Sequence, residues 1–187
     1  MLRLCLFFAC LSLMASSCHT AKKTSMQKEK REYIFPLDWI GEYTGELHIF
    51  SATQDTNTID MTLTIGNPNA EGYYPWVIKY GEDDIRSYGL EAINAVTGHY
   101  IVDEFNSIRL DGFLRDNHFI SHFEVLNSTL LVDYERVPEG ILVNLYVSNS
   151  DPMNTTGGEI FAKDTVPTVK SFAVPVFQSA LLKKSHK

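Results

Sequence analysis

From Trp39 to Ser148 apolar and polar residues alternate with a period of two almost without interruption. Turn residues recur about every ten positions, so the segment reads as a succession of half-buried strands. Trp39, Gly41, Tyr43, Gly45, Leu47 and Ile49 alternate with Ile40, Glu42, Thr44, Glu46 and His48. Ile59, Met61, Leu63 and Ile65 alternate in the same way with Asp60, Thr62 and Thr64. The pattern predicts further strands at residues 74–80, 85–93, 99–105, 108–114, 119–126, 129–137 and 141–147, with little helix. Strands joined in order by short links cannot remain one flat sheet, because its edges and its apolar face would both lie open. Closure into a single antiparallel up-and-down barrel of 8–10 strands solves both problems; a β-sandwich is the competing arrangement. Residues 149–167 read as a long irregular segment and residues 169–182 as a tenth strand. Pro175 within that strand has no N–H to donate, which implies an edge, a bulge or a bend.

The chain's 16 Lys and Arg against 23 Asp and Glu give a net charge of −7, unsuited to a nucleic-acid binder. At the N-terminus Arg3 precedes an apolar run over residues 4–14, too short to cross a bilayer as a helix but suited to a secretory leader. Ala15, Ser16 and Ser17 then lead to Cys18, an arrangement that resembles the lipobox of bacterial lipoproteins, with Ala15 where Leu is common. The resemblance implies a leader over residues 1–17 and a lipidated Cys18. Residues 18–34 then read as a polar tether, residues 35–182 as the barrel domain and residues 183–187 as a solvated tail. The implied address is the bacterial cell envelope, in the outer membrane facing the periplasm, with the membrane as partner through the lipid. Plain secretion after Ser17 is the alternative. Cys5 and Cys10 fall in the leader, so the processed chain has no second Cys for an internal disulfide.

The opening Trp39-x-Gly41-x-Tyr43-x-Gly45 resembles the aromatic-and-glycine start of calycin barrels, which include lipocalins, fatty-acid-binding proteins and nitrobindin-like haem barrels. It implies a strongly bent first strand and an aromatic plug in the barrel floor. No helical lid between the first two strands and no helix after the barrel is read here, so the resemblance implies the fold and not a particular ligand.

Alternation also turns some polar side chains inward. Arg86 and Tyr88 share a face with Leu90 and Ala92; Tyr134 and Arg136 share one with Leu130 and Val132. An inward Arg beside a Tyr hydroxyl is a good carboxylate clamp. These four, with Trp76 and Tyr43, are the candidate ligand contacts, and Tyr74, Phe119 and Phe123 also fall on apolar faces. The structural alternative is that Arg136 reaches out to solvent at its strand end and that Arg86 pairs with Glu104 or Asp103. No metal site is expected: His118 and His122 are about 13 Å apart on a strand, and nothing selects His48 or His99. No catalytic residue is expected either, since Asp103 and Glu104 point to opposite faces and no nucleophile motif occurs. The reading is thus a non-catalytic envelope lipoprotein whose barrel binds a small apolar or amphipathic ligand, with no cofactor. The alternative is a protein–protein interaction module with a filled core, docking an envelope partner through loops that include residues 149–167.

Overall fold

In the computed structural model the described residues are 32–53 and 55–185. Cys18, the leader and the tether up to residue 31 lie outside them, while Glu32, Tyr33 and Ile34, expected in the tether, lie within. A short 3-10 turn, Leu37–Trp39, leads into β1 (Gly41–Ser51). There follow β2 (Asn57–Ile65), β3 (Tyr74–Tyr80), β4 (Asp84–Asn94), β5 (His99–Asp103) and β6 (Arg109–Arg115). Next come β7 (His118–Val125), β8 (Ser128–Val137) and β9 (Gly140–Asn149). Four very short strands intervene, β10 (Asn154–Thr156), β11 (Ile160–Phe161), β12 (Asp164–Thr165) and β13 (Val169–Ser171), before β14 (Val176–Lys184).

Ten of these strands close an antiparallel up-and-down barrel in the order β1-β14-β9-β8-β7-β6-β5-β4-β3-β2, a calycin-like fold. β1 pairs with β2 (Gly41↔Ile65) and with β14 (Tyr43↔Lys184), so neither end of the meander is left as a free edge. The last strand must approach its neighbours closely. A Cβ on Gly45 would lie 2.5 Å from the Leu181 carbonyl oxygen, and one on Gly140 would overlap that of Leu182. Two glycines therefore flank β14, one on each side, where the barrel shuts.

The inward side chains are fully buried towards one end and only partly covered towards the other. At the closed end, where β1 begins and β8 ends, Trp39 is fully buried. The Phe35 ring packs edge-on to Trp39 at 4.9 Å and to Tyr100 at 4.8 Å, and stacks on Phe119 at 5.0 Å. The aromatic floor expected from the opening motif is therefore present, with Phe35 as its second member. Above it Leu63, Ile65, Trp76, Leu90, Ile141 and Leu182 are also buried. Towards the other end the inward residues Ile49, Ile59, Tyr80, Tyr88, Phe123 and Leu145 are only partly covered.

Three local expectations change. Residues 149–167 are not irregular throughout: β10 pairs with β13 and β11 with β12, as two miniature ribbons. The strand expected over residues 169–182 is split at Pro175, whose carbonyl accepts from the Ala52 N–H at 3.1 Å, and β14 runs on to Lys184. A register shift between Ala92 and Asn94 interrupts the β4–β5 ladder, and Ala92 is exposed although it stays in register with Leu90 and pairs with buried Tyr100.

Candidate functional site

β4 lies across the barrel from β9, five strands away in either direction. At the open end these two walls differ in chemistry. The β9 side offers Leu145 and Val147, continued by Ile49 on β1 and Leu130 on β8, all half-covered. The opposite side offers Tyr80, Arg86 and Tyr88, with Glu104 close enough to act electrostatically on Tyr88. The Arg86 guanidinium lies 5.0 Å from the centre of the Tyr80 ring. It donates from Nη2 to Asp84 Oδ2 at 2.9 Å and from Nε to Asp84 Oδ1 at 3.1 Å, a forked pair exposed at the mouth. Below it, Tyr134 meets Trp76 edge-on at 5.2 Å, and Trp76 packs on Phe119 at 5.6 Å. The result is a shallow cup with an apolar wall, a cationic and phenolic wall, and a floor of aromatic rings.

Burial shapes the electrostatics of the cup. Desolvation pushes the Tyr134 hydroxyl far above the ordinary phenol range, with Tyr80 and Tyr88 adding to the effect. Tyr80 and Tyr88 are raised chiefly by desolvation too, while Arg86 works in the opposite direction on both. All three phenols are therefore neutral hydrogen-bonding groups at physiological pH. The fork to Asp84 raises Arg86, fixing it as a cation, and lowers Asp84. The pair is nevertheless half exposed, where an ion pair is worth little and its carboxylate is readily exchanged for another.

The six candidate contacts separate by depth. Arg86, Tyr88, Tyr134 and Trp76 belong to the cup or its floor, whereas Tyr43 and Arg136 belong to the closed end. Arg136 does not reach solvent as its structural alternative had it: it is buried, and Nη1 donates to the Gly140 carbonyl at 2.7 Å and to that of Val137. Its guanidinium covers the Tyr33 ring at 4.6 Å and the Tyr43 ring at 5.7 Å, and the Tyr43 hydroxyl donates to the Trp39 carbonyl at 2.9 Å. Arg136 and Tyr43 thus tie the incoming chain to the barrel floor and line no part of the cup. The alternative for Arg86 also changes, since its partner is Asp84; Asp103 instead faces Arg109 at 3.6 Å. Tyr80 and Asp84 escaped the sequence reading, although Tyr80 continues the inward series Trp76, Ile78, and Asp84 precedes Arg86 by two.

The histidines among the described residues face outward. His99 Nε2 meets Asp111 Oδ1 at 2.7 Å, His118 Nδ1 meets Asp133 Oδ1 at 3.0 Å, and His48 Nδ1 meets Thr58 Oγ1 at 3.2 Å. Among the described residues no group of three or more His, Cys, Asp and Glu is placed to hold a metal ion. An open groove of about 470 Å³ lies along β1, β2 and β3, beside Glu46, Asp60, Lys79 and Glu82.

No protein-family description matches the chain, and no curated protein is significantly similar to it. Its fold is shared with a crystal structure of a protein of unknown function from the DUF3598 family of Nostoc punctiforme, with a TM-score of 0.57 and 10% identity. That match covers 83% of this chain and 51% of the other, so the chain spans about half the length of that protein. At this identity the likeness concerns the fold alone.

Proposed function

We propose that the barrel is the non-catalytic binding domain of an envelope lipoprotein and that its ligand is a small amphipathic molecule carrying an anionic or acceptor group. The observation that supports this is the division of the barrel. The lower half is packed as a stable core that includes Tyr134, while the upper half leaves inward-facing side chains partly uncovered around the Arg86 cation and the phenols of Tyr80 and Tyr88. An interaction module with a filled barrel would have had no use for that uncovered upper lining. Depth limits the ligand. From Arg86 to buried Leu90 is four residues, about 13 Å along a strand, and less along a tilted barrel axis. A single ring system or a medium-length chain fits that depth; a fully inserted long-chain lipid does not. The acid of such a ligand replaces Asp84 on the Arg86 fork, accepts from Tyr88, and places its apolar part against Leu145 and Ile49.

Anilinonaphthalene sulfonate, an aromatic anion of suitable size, is the probe for the test. Its fluorescence should rise on addition of the full chain and fall when octanoate competes. Arg86→Ala should weaken octanoate competition by about tenfold, the loss of roughly 1.4 kcal/mol expected for a partly solvated charge-assisted contact. Arg136→Lys, altering the floor, should leave competition unchanged in folded protein. Equal competition in wild type and Arg86→Ala would remove Arg86 from the site, and no competition at all would remove the acid class.

A further inference from the structure

The side of the rim formed by the β7–β8 turn and by the segment between β9 and β14 carries the most exposed apolar side chains of the open end, with Ile85, Phe105 and Ile108 fewer and less exposed on the opposite side. Leu126 is 92% exposed, Met153 80%, Ile160 78% and Phe161 75%, and Val169, Phe172 and Val174 stand about half in solvent nearby. Backbone hydrogen bonds gather the bases of these segments into one region. Ser150 N donates to the Asn127 carbonyl at 3.1 Å, Asn149 N to that of Ala173 at 3.1 Å, and Met153 N to that of Ser171 at 2.8 Å. The turn between β7 and β8 is thereby tied to the root of the β10–β13 ribbon, and the β11–β12 ribbon carries Ile160 and Phe161 beyond it. We infer that this side of the rim is a docking surface for a lipid bilayer, against which the mouth of the cup is held.

Relief and charge select a bilayer as the occupant. The apolar groups stand on separate turns and two- or three-residue strands, as protrusions. A protein partner buries a contiguous packed face, whereas a fluid interface requires only that several apolar tips reach it together. Residues 150–175 carry Asp151, Glu159 and Asp164 against Lys163 and Lys170, so the segment is nearly neutral within a chain of net charge −7. The acidic run Glu82, Asp83 and Asp84 spans the β3–β4 turn and the first residue of β4, on the Arg86 side of the mouth. Docking by the apolar side therefore keeps the acidic side away from anionic headgroups. The apolar lining is also continuous with the patch, because β9 carries Leu145 and Val147 along the cup and then runs directly into the protruding segment.

The length of chain ahead of the barrel permits the orientation, and this step rests on the lipoprotein reading. From Cys18 to Glu32 is 14 residues, a reach of about 46–50 Å when extended. The chain enters the barrel at its closed end, and a ten-residue strand such as β9 spans only about 33 Å even before tilt. An anchored chain thus reaches past the barrel and allows the mouth to turn back to the same membrane.

The test places an indole on the patch of the full chain. Phe161→Trp is compared with Val96→Trp, which marks the β4–β5 turn at the closed end and replaces a side chain 97% exposed. Trp39 and Trp76 are 0% and 1% exposed and form a constant background. Each protein is mixed with vesicles of phosphatidylethanolamine and phosphatidylglycerol bearing brominated acyl chains. Quenching of about twofold or more is expected for the Phe161→Trp indole alone, with little change on adding salt, because the contact is apolar. Adding Met153→Asp and Ile160→Asp should abolish it, and adding Arg86→Ala should not, so that failure of the cup and failure of the patch are separate results. Quenching at neither position, equal quenching at both, or quenching that survives the two Asp substitutions would overturn the inference. A blue-shifted emission from the Phe161→Trp indole before vesicles are added would also overturn it, by placing the patch against another part of the chain or a second copy.

Discussion

Two arginines stand two residues from a tyrosine on inward strand faces, yet they do different work. Arg136 is buried, gives Nη1 to the carbonyls of Val137 and Gly140, and covers Tyr33 and Tyr43. Arg86 is half exposed and holds Asp84 at the rim. Arg136→Ala should therefore cost about 2–4 kcal/mol in urea unfolding, since it uncovers two rings and leaves two carbonyls without their donor. The loss stays short of a larger figure because Arg136 Nε is itself buried without a partner among the described residues. Arg86→Ala should leave the urea midpoint nearly unchanged. Equal effects from the two substitutions would contradict this division of floor from rim. The sequence could show that both pairs point inward, because alternation fixes the face. It could not show depth, because depth depends on how tilted strands are staggered around the whole barrel. That is why Arg86-x-Tyr88 and Tyr134-x-Arg136 looked equivalent as ligand clamps.

At the level of elements, the strands were legible wherever one face is buried, since burial enforces the alternation. Reading failed where that constraint lapses. The β10–β13 and β11–β12 ribbons bury neither face, so no pattern marks them; their positions follow from Gly157 and Gly158, at φ 77° and 82°, and from the Ala162–Lys163 turn, at φ 50° and 76°. β5 ends at Asp103, short of the strand read to residue 105, because Phe105 takes up φ 56° and Asp103 Oδ1 accepts its N–H at 2.8 Å. The glycines beside β14 carry the sharper consequence. Gly140→Ala forces a methyl group onto the Leu182 carbonyl, a rigid backbone group, and should cost about 1–3 kcal/mol or more through displacement of β14. Hydrogen exchange provides the check: amides of β9 and β14 should lose protection first, while those of β4 and β5, on the far side of the barrel, keep theirs. Uniform loss across all strands would mean that the last closure is not separable from the rest.

For the molecule as a whole, the barrel and the protruding segment answer to different demands. Every barrel strand pairs on both sides, and the core is continuous from Phe35 to Leu182. Residues 151–165, by contrast, are exposed throughout. β9 and β14 are already adjacent, with Val147 paired to Val176, so the chain between them joins two points the barrel itself holds together. Replacing residues 152–172 by a short Gly/Ser turn removes no buried side chain and shortens a closed loop, an entropic change below about 2 kcal/mol in the stabilising direction. The shortened protein should keep its urea midpoint to within the equivalent of about 1 kcal/mol, retain octanoate competition at Arg86, and lose the vesicle contact proposed for the rim. Collapse of the barrel on this replacement would assign the segment a structural role. Survival with vesicle contact intact would move the lipid-facing surface elsewhere. Only loss of that contact from a folded, ligand-competent barrel fits a segment kept for what it touches outside the molecule.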